Sequence, residues 1–515
     1  MLTRRNLLKN GGIAAMAAAS SGLLLRAAWS SQPPSTFDYY IAPNGDDNNA
    51  GTLASPWSIT ALNTKQSIYA GKNIGIIGDV GGAQTPITYG TVGGVRTTLL
   101  SIQNANAGTS SYCVLKINGG TSSAAPTYIA SCTSGGVYSP RWAAINGGIT
   151  SSNANANTIL MGQSFYGQTP PPNVGYVTLD GLDISGGAYG NVAFGDVQST
   201  VLHGITIQNC YIHDGYCSTS SENPGGVILG TNNGTLITNT KIANCLTTGG
   251  TLNPLGMAAV RTYGTVNLIV TNCTFYNCGF SILMKDGNQW CTVSYCYLDS
   301  GNFGSSVNNP SNQPNPYTLM AIIPGAGQTY TVHHNIILGL GMRCWGDDGT
   351  DVTGSIVAYN NTFYTPPAFA GPCTALWVTQ TGTGPHQWYN NLVHYPAYEP
   401  SQGLPYQYGA VAWSTTGGLS ASTINSNYYG TGCTFGAGAA YTFSGWQKLG
   451  YDAKGLVGGS PFSGIPIALT PTSFAVTGPA ATASRTGGPV GALDGTGTVG
   501  CNFSAVPSAP TLTVS

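Results

Sequence analysis

Three cations lie on short, strand-like segments of this chain. Arg261 closes residues 257–261, Lys285 closes 280–285, and Arg343 lies in 342–345. Carboxylates accompany them: Asp286 directly follows Lys285, and Asp347, Asp348 and Asp351 lie just beyond Trp345. Charged residues make up only 6% of the sequence, against roughly 25% in ordinary globular chains. Of 16 basic residues, four (Arg4, Arg5, Lys9, Arg26) fall in the first 30, which leaves 12 for the rest. A lysine beside arginines loses its proton more readily, because like charges disfavour the ammonium, and the neutral amine can then act as a base. An arginine, or a bound calcium ion, can neutralise the dianion formed when a proton leaves the carbon next to a carboxylate. The set therefore suits β-elimination from a uronic acid. Lys285 is the expected base and Arg261 the group that meets the carboxylate, with Arg343 and Asp286 beside them. The two roles could equally be exchanged between Arg261 and Lys285. Asp286 or the Asp347/Asp348 pair could instead do the acid–base work of a hydrolase. Asp347, Asp348 and Asp351 could also hold calcium, which takes carboxylate oxygens from such a loop. Salt bridges between outward-facing segments would use the same residues without any catalysis.

A second constellation is His213-Asp214-Gly215. A His/Asp pair can move protons or hold a substrate, although an aspartate before glycine is also a common turn residue. Trp345, His213 and Asp214 are the expected substrate-binding residues. No Cys-x-x-Cys pair or His/Cys cluster has the spacing of a zinc site.

The elements that must position these residues come from an eight-residue pattern. It begins Val177-Thr178-Leu179-Asp180-Gly181-Leu182-Asp183-Ile184 and recurs at Ile205, Thr235, Leu268, Cys291, Tyr330, Ile356, His386 and Ser422, with starts 23 to 39 residues apart. The third column (Leu179, Ile207, Ile237, Val270, Val293, Val332, Ala358, Trp388, Ile424) and the eighth (Ile184, Ile212, Ile242, Phe275, Leu298, Ile337, Phe363, Val393, Tyr429) are apolar throughout, so both face inward. The sixth column ends Asn335, Asn361, Asn391, Asn427, a ladder of like amides that suits in-register parallel strands. Copies too small to bury their own apolar face must stack as a solenoid. Helical repeats need spacings of three and four, whereas here the alternation is two. The cations lie on further short strands between the octets, one per coil, which predicts another sheet.

This pattern resembles the right-handed parallel β-helix of the pectate lyase and of the chondroitinase B and alginate lyase families. The expected fold class is thus all-β, a single-stranded right-handed parallel β-helix with N- and C-terminal caps. Val260-Arg261-Thr262-Tyr263 and, one coil on, Met284-Lys285-Asp286-Gly287-Asn288 resemble the two catalytic strands of the chondroitinase B and alginate lyase family. By position, Arg261 takes the place of that family's lysine and Lys285 that of its arginine, while Asp286 replaces a histidine. The resemblance implies lyase action on an acidic polysaccharide in a groove along this sheet. The family's acidic calcium ligands have no counterpart in residues 227–229. Gly346-Asp347-Asp348 resembles the aspartate pair of polygalacturonases, but their other signatures are absent, so a β-helix hydrolase is the second reading. A non-catalytic glycan-binding surface protein is the third.

The remaining expectations concern the ends and the setting. Thr3-Arg4-Arg5-Asn6-Leu7-Leu8-Lys9 fits a twin-arginine export signal. An apolar stretch follows, and Ala28-Trp29-Ser30 offers a cleavage site. That stretch is short for a membrane span, and no other could cross, so no membrane span is expected after cleavage and the protein is periplasmic or extracellular. The mature chain has 12 basic and 17 acidic residues, a net charge of −5, which argues against nucleic acid as a partner. A polysaccharide substrate, a monomer and no cofactor other than calcium are expected. Of the 13 cysteines, Cys210, Cys273 and Cys296 share the sixth column, Cys291 takes an inward first position, and Cys245 and Cys278 both fall ten residues after their repeat starts, so most should be free and act as small core hydrophobes. Residues 1–30 are read as the signal peptide, 31–72 as a lead-in strand and cap with a helix over 59–69, 73–432 as the β-helix, and 433–515 as a C-terminal cap. A final strand is expected at 489–494.

Overall fold

The computed structural model of the protein describes residues 32–500, except 79–86, 90, 93–94, 97–101, 104–111, 148–156, 162–174, 188, 196–200, 218–224, 248–257, 286–287, 300–318, 323–327, 340, 346–353, 366–373, 379–384, 396–408, 414–416, 438, 465–470 and 494–498. Each octet folds as two strands joined by a sharp turn. The first half joins sheet one, from Tyr39–Ile41 through Val177–Asp180 to Thr423–Asn425. The second half joins sheet two, from Ile87–Tyr89 through Asp183–Ser185 to Leu456–Gly458. The strands between octets form sheet three, which includes Gly225–Leu229, Ala258–Tyr263, Phe280–Lys285, Leu319–Ile322, Met342–Trp345, Leu376–Val378 and Gly409–Trp413. Within each sheet, a strand pairs in parallel with its counterpart one coil away. The register follows the columns: Leu179 pairs with Ile207, Ile207 with Ile237, and Ile237 with Val270. The third- and eighth-column side chains fill one continuous core with the inward residues of sheet three.

The turn between sheets one and two explains the fifth and sixth columns together. The fifth residue is left-handed in all nine copies: Gly181, Asn209, Asn239, Asn272, Tyr295, His334, Asn360, Asn390 and Ser426. Glycine and asparagine reach that region at least cost. The turn aims two carbonyls inward, that of the octet's own fourth residue and that of the third residue one coil back. The first copy carries Leu182 at the sixth place; in later copies the sixth side chain donates to one or both of them. Cys273 Sγ reaches Thr271 O at 3.3 Å and Ile237 O at 3.5 Å. Thr240 Oγ1 reaches Thr238 O at 2.9 Å. Asn361 Nδ2 reaches Tyr359 O at 3.1 Å and Val332 O at 2.9 Å. Cysteine, threonine and asparagine thus interchange in this column because each brings a small donor to buried acceptors. The column cysteines are more than the small hydrophobes expected from sequence. Among the described residues Cys210, Cys245, Cys273, Cys278, Cys291, Cys296 and Cys433 are free thiols.

Asparagine also accepts. Asn335 N donates to Asn361 Oδ1 at 3.1 Å, Asn361 N to Asn391 Oδ1 at 3.0 Å, and Asn391 N to Asn427 Oδ1 at 2.9 Å. The run ends on buried Asp452, which accepts from Asn427 N at 3.2 Å, Asn427 Nδ2 at 2.9 Å and Tyr429 OH at 2.7 Å.

Both ends of the core are covered. At the start, Trp57 packs against Tyr39, with ring centres 4.3 Å apart. The expected helix over 59–69 is two single turns, Ala61–Thr64 and Gln66–Tyr69, broken at Lys65. Asn63 and Thr64 favour turns over helix continuation. Ala61, Leu62 and Tyr69 still bury against the first coil. At the far end, the helix Phe443–Lys448, capped by the Thr442 side chain, lays buried Trp446 on Phe435. Residues 489–493 do not form the expected strand. Val490 and Ala492 instead pack with Phe462 and Phe474 against Tyr297, Ile336, Leu338, Leu392 and Tyr428 on the outer face of sheet two. Gly491 N and Ala492 N bond Asn390 O and Thr362 Oγ1, so this segment crosses the strands rather than extending them. Among the described residues no helix is long and apolar enough to cross a membrane.

Candidate functional site

Sheet three carries the cations. Alternation along its strands sends Val260, Ile282, Met284, Met342, Cys344, Leu376 and Val378 into the core, which leaves the residues between them for the outer face. Register then defines one outer column: Ile228 pairs with Arg261, Arg261 with Leu283, Leu283 with Met320, Met320 with Arg343, Arg343 with Trp377, and Trp377 with Ala412. Arg261 and Arg343 therefore share a column, three strand spacings or roughly 14 Å apart. Lys285 is in register with Tyr263, two residues beyond Arg261 along the strand direction. Trp345 holds the equivalent register place two residues beyond Arg343. The side chains of Lys285 and Trp345, and the whole of Asp286, Asp347, Asp348 and Asp351, lie outside the described residues.

The two arginines differ in their surroundings. Arg261 is 1% exposed, with its guanidinium 5.1 Å from the centre of the Tyr263 ring. Its neighbours Ile228, Leu283, Ala258 and Phe280 are buried as well. The outer face is thus covered at this level, and Arg261 does not line the open groove expected from the sequence. Alternation along a strand tells inner face from outer, but it does not tell a covered outer face from an open one. Arg343 is half-buried and sits 4.7 Å over the indole of Trp377, itself half-buried on the next coil. Such a contact fixes a guanidinium without hiding it from water. Trp377 was absent from the sequence-derived set. Its place between inward Leu376 and Val378, one coil after Arg343, was the signal that could have found it.

The His213 constellation lies elsewhere, on the outer face of sheet two. His213 Nε2 is 2.8 Å from Asp183 Oδ1 and Nδ1 is 2.8 Å from Asp214 Oδ2. Burial alone would lower the imidazole pKa, but the two carboxylates override it and raise the pKa to about 9. Asp214 is itself held below the usual carboxylate range by its bonds to His213 and Asn244, which outweigh burial. The ring is then an imidazolium that donates at both nitrogens, and it has no lone pair with which to accept a proton near neutrality. Asp214 is left-handed at the turn and starts a surface row: Asn244 Nδ2 donates to its Oδ1 at 3.1 Å, and Asn277 Nδ2 to Asn244 Oδ1 at 2.9 Å. Asp183 was not foreseen, although it precedes Ser185, the register partner of His213, by two residues on the same face. The structure thus separates His213 and Asp214, on sheet two, from the arginines on sheet three. Among the described residues no group of three His, Cys, Asp or Glu side chains could hold a metal ion.

A family model described as "Right handed beta helix region" matches residues 152–318. The chain is a right-handed parallel β-helix. No curated protein matches it by sequence. Among solved structures it is similar to the pectate lyase Pel9A, at 14% identity over 70% of this chain and 76% of that one, with a TM-score of 0.41. A rhamnogalacturonan lyase matches at 14% identity over 76% and 87%, with a TM-score of 0.42. A structure of XylC with xylose matches at 10% identity over 81% and 85%, with a TM-score of 0.38. These likenesses concern the fold alone.

Proposed function

We propose that the protein is an exported polysaccharide lyase that cleaves an acidic, uronate-containing glycan by β-elimination. The observation that carries this reading is the shared outer column of Arg261 and Arg343, with the Lys285 backbone between their levels, in a chain with 6% charged residues. The likeness of the Arg261 and Lys285 strands to lyase catalytic strands supports it, as does the twin-arginine leader. Lys285 takes the proton next to the sugar carboxylate. The electron pair forms a carbon–carbon double bond, the glycosidic carbon–oxygen bond on the adjacent carbon breaks, and the leaving oxygen collects a proton. Arg261, sealed beneath the face, keeps its charge and favours the neutral amine of Lys285. Arg343, reachable from solvent, meets the carboxylate. Asp286 completes the set, and the donor set of Asp347, Asp348 and Asp351 suits calcium, which would add further charge neutralisation.

The test is a screen of acidic and neutral polysaccharides, with and without calcium, read by ultraviolet absorbance of the unsaturated uronate and by reducing ends. The absorbance should appear on an acidic glycan, and Lys285→Ala should abolish it while the melting temperature holds. Reducing ends without the absorbance would make the protein a hydrolase, with Asp286 or the Asp347/Asp348 pair as its acids.

A further inference from the structure

We propose that Trp290 is a sugar-stacking platform, on which one pyranose unit of the glycan rests where the polymer passes the corner between sheets three and one. This rests on the reading of the protein as one that acts on a glycan, and an acidic or a neutral unit could lie there alike. Trp290 comes one residue before the octet that begins at Cys291 and five residues after Lys285, the end of a sheet-three strand. Five residues span at most about 17 Å, so Trp290 stands within an oligosaccharide's length of the proposed base.

Neither the turn nor the packing at this corner calls for tryptophan. The residue before the octet is left-handed in five successive coils: Tyr176, Gly204, Gly234, Asn267 and Trp290, with φ of 49°, 61°, 79°, 56° and 56°. Glycine and asparagine adopt that conformation at least cost, whereas for a bulky side chain it is a true outlier. Tyr176, the other aromatic in the column, lies where a side chain at Gly204 would sit and stacks on His203, so its ring serves packing. The indole of Trp290 makes no ring contact and no hydrogen bond among the described residues. It is 48% exposed, while Trp57, Trp388 and Trp446 are buried in the core. Backbone strain that brings no packing in return is characteristic of positions that hold a ligand.

The surroundings decide which ligand suits. Register sets Trp290 beside Asn267 on the preceding coil and Thr329 on the next. Asn233 and Asn267 are exposed and joined by one bond, Asn267 Nδ2 to Asn233 Oδ1 at 3.0 Å. Asn233 Nδ2 and Asn267 Oδ1 are then left to meet hydroxyls. Exposed His203, the register partner of Asn233, continues the row one coil further back. A single indole among amides is not the contiguous apolar patch that docks a protein. A pyranose has an apolar ring face and a rim of hydroxyls. The indole suits the ring face of one unit, and the amides suit hydroxyls along the polymer.

Binding should be measured apart from cleavage, by affinity electrophoresis of the wild type, Trp290→Asn and Trp290→Phe in gels containing polygalacturonate, alginate or soluble xylan. Asparagine is the residue that the preceding coil uses at this place, so Trp290→Asn should melt no lower than the wild type. On whichever glycan retards the wild type, Trp290→Asn should bind at least about tenfold more weakly, and Trp290→Phe should keep most of the affinity. Four results would each overturn the platform: unchanged retardation of Trp290→Asn, Trp290→Phe binding no better than Trp290→Asn, a melting temperature of Trp290→Asn several degrees below that of the wild type, or wild-type protein held back by none of the three gels. Unsaturated product with unchanged binding by Trp290→Asn keeps the lyase and loses the platform. Binding lost as described in a protein that yields no unsaturated product on any glycan keeps the platform and loses the lyase.

Discussion

His213 shows how a residue suited to catalysis by type can be disqualified by its partners. Both ring nitrogens face a carboxylate, and the raised pKa of about 9 keeps the ring charged through neutrality. Linkage gives this a measurable sign. A cation whose folded pKa lies above its unfolded value of 6.5 stabilises the fold fully below about 6.5, and the contribution fades as pH rises through about 9. Asp214, whose pKa is lowered on folding, contributes above its unfolded value of 3.8 and loses that contribution as pH falls through its folded value. The melting-temperature gap between wild type and His213→Gln should therefore be widest between those limits and close on both sides. A gap that does not vary with pH would show that the ring titrates as it does in the unfolded chain. The His–Asp neighbours were legible in sequence. The third partner, Asp183, was not, because it comes from a coil 30 residues earlier and only the register brings it across. Arg261 teaches the complementary point: its place on the outer face was legible, and its burial was not.

At the scale of the element, the sixth column was readable as a stack but not as a row of donors. The letters Cys, Thr and Asn share no hydrophobicity. They share a small donor, and the need for one appears only when the left-handed turn aims its carbonyls inward. This predicts an unusual pattern of tolerance. Cys273→Thr keeps a donor of the kind Thr240 supplies in the neighbouring coil and should shift the denaturation midpoint little. Cys273→Val has nearly the same shape but leaves the carbonyls of Thr271 and Ile237 without that donor. Thr271 O keeps its bond from Asn239 N and a thiol is a weak donor, so the change should cost about 0.5–1 kcal/mol. Asn361→Ala should cost at least as much, because Asn335 N also loses its acceptor. Equal midpoints for the threonine and valine variants would mean that the column packs by volume alone.

At the scale of the whole molecule, the repeat made the coil legible because every copy states the same inward pattern. The ends and the outer coverings do not repeat, which is why the helix over 59–69 and the strand at 489–494 were misread. The C-terminal segment matters most here. It was expected to close the end of the stack, and its helix Phe443–Lys448 does so. Its later part covers the outer face of sheet two instead, where Ile336, Leu338, Leu392 and Tyr428 would otherwise meet water. Phe474 is the anchor: it is fully buried and meets Tyr364 and Phe462 edge-on at 5.4 and 5.6 Å. Phe474→Ala should destabilise this packing by about 3–5 kcal/mol. The ladder hydrogen bonds of sheet two run between coils and not to this segment. Removing residues 460–515 should therefore leave the far-ultraviolet signature of the β-helix in place, lower the melting temperature, and create a surface that binds a hydrophobic dye, since a contiguous apolar face would be bared. A truncated protein that melts like the full chain and binds no dye would show that the outer face of sheet two needs no cover.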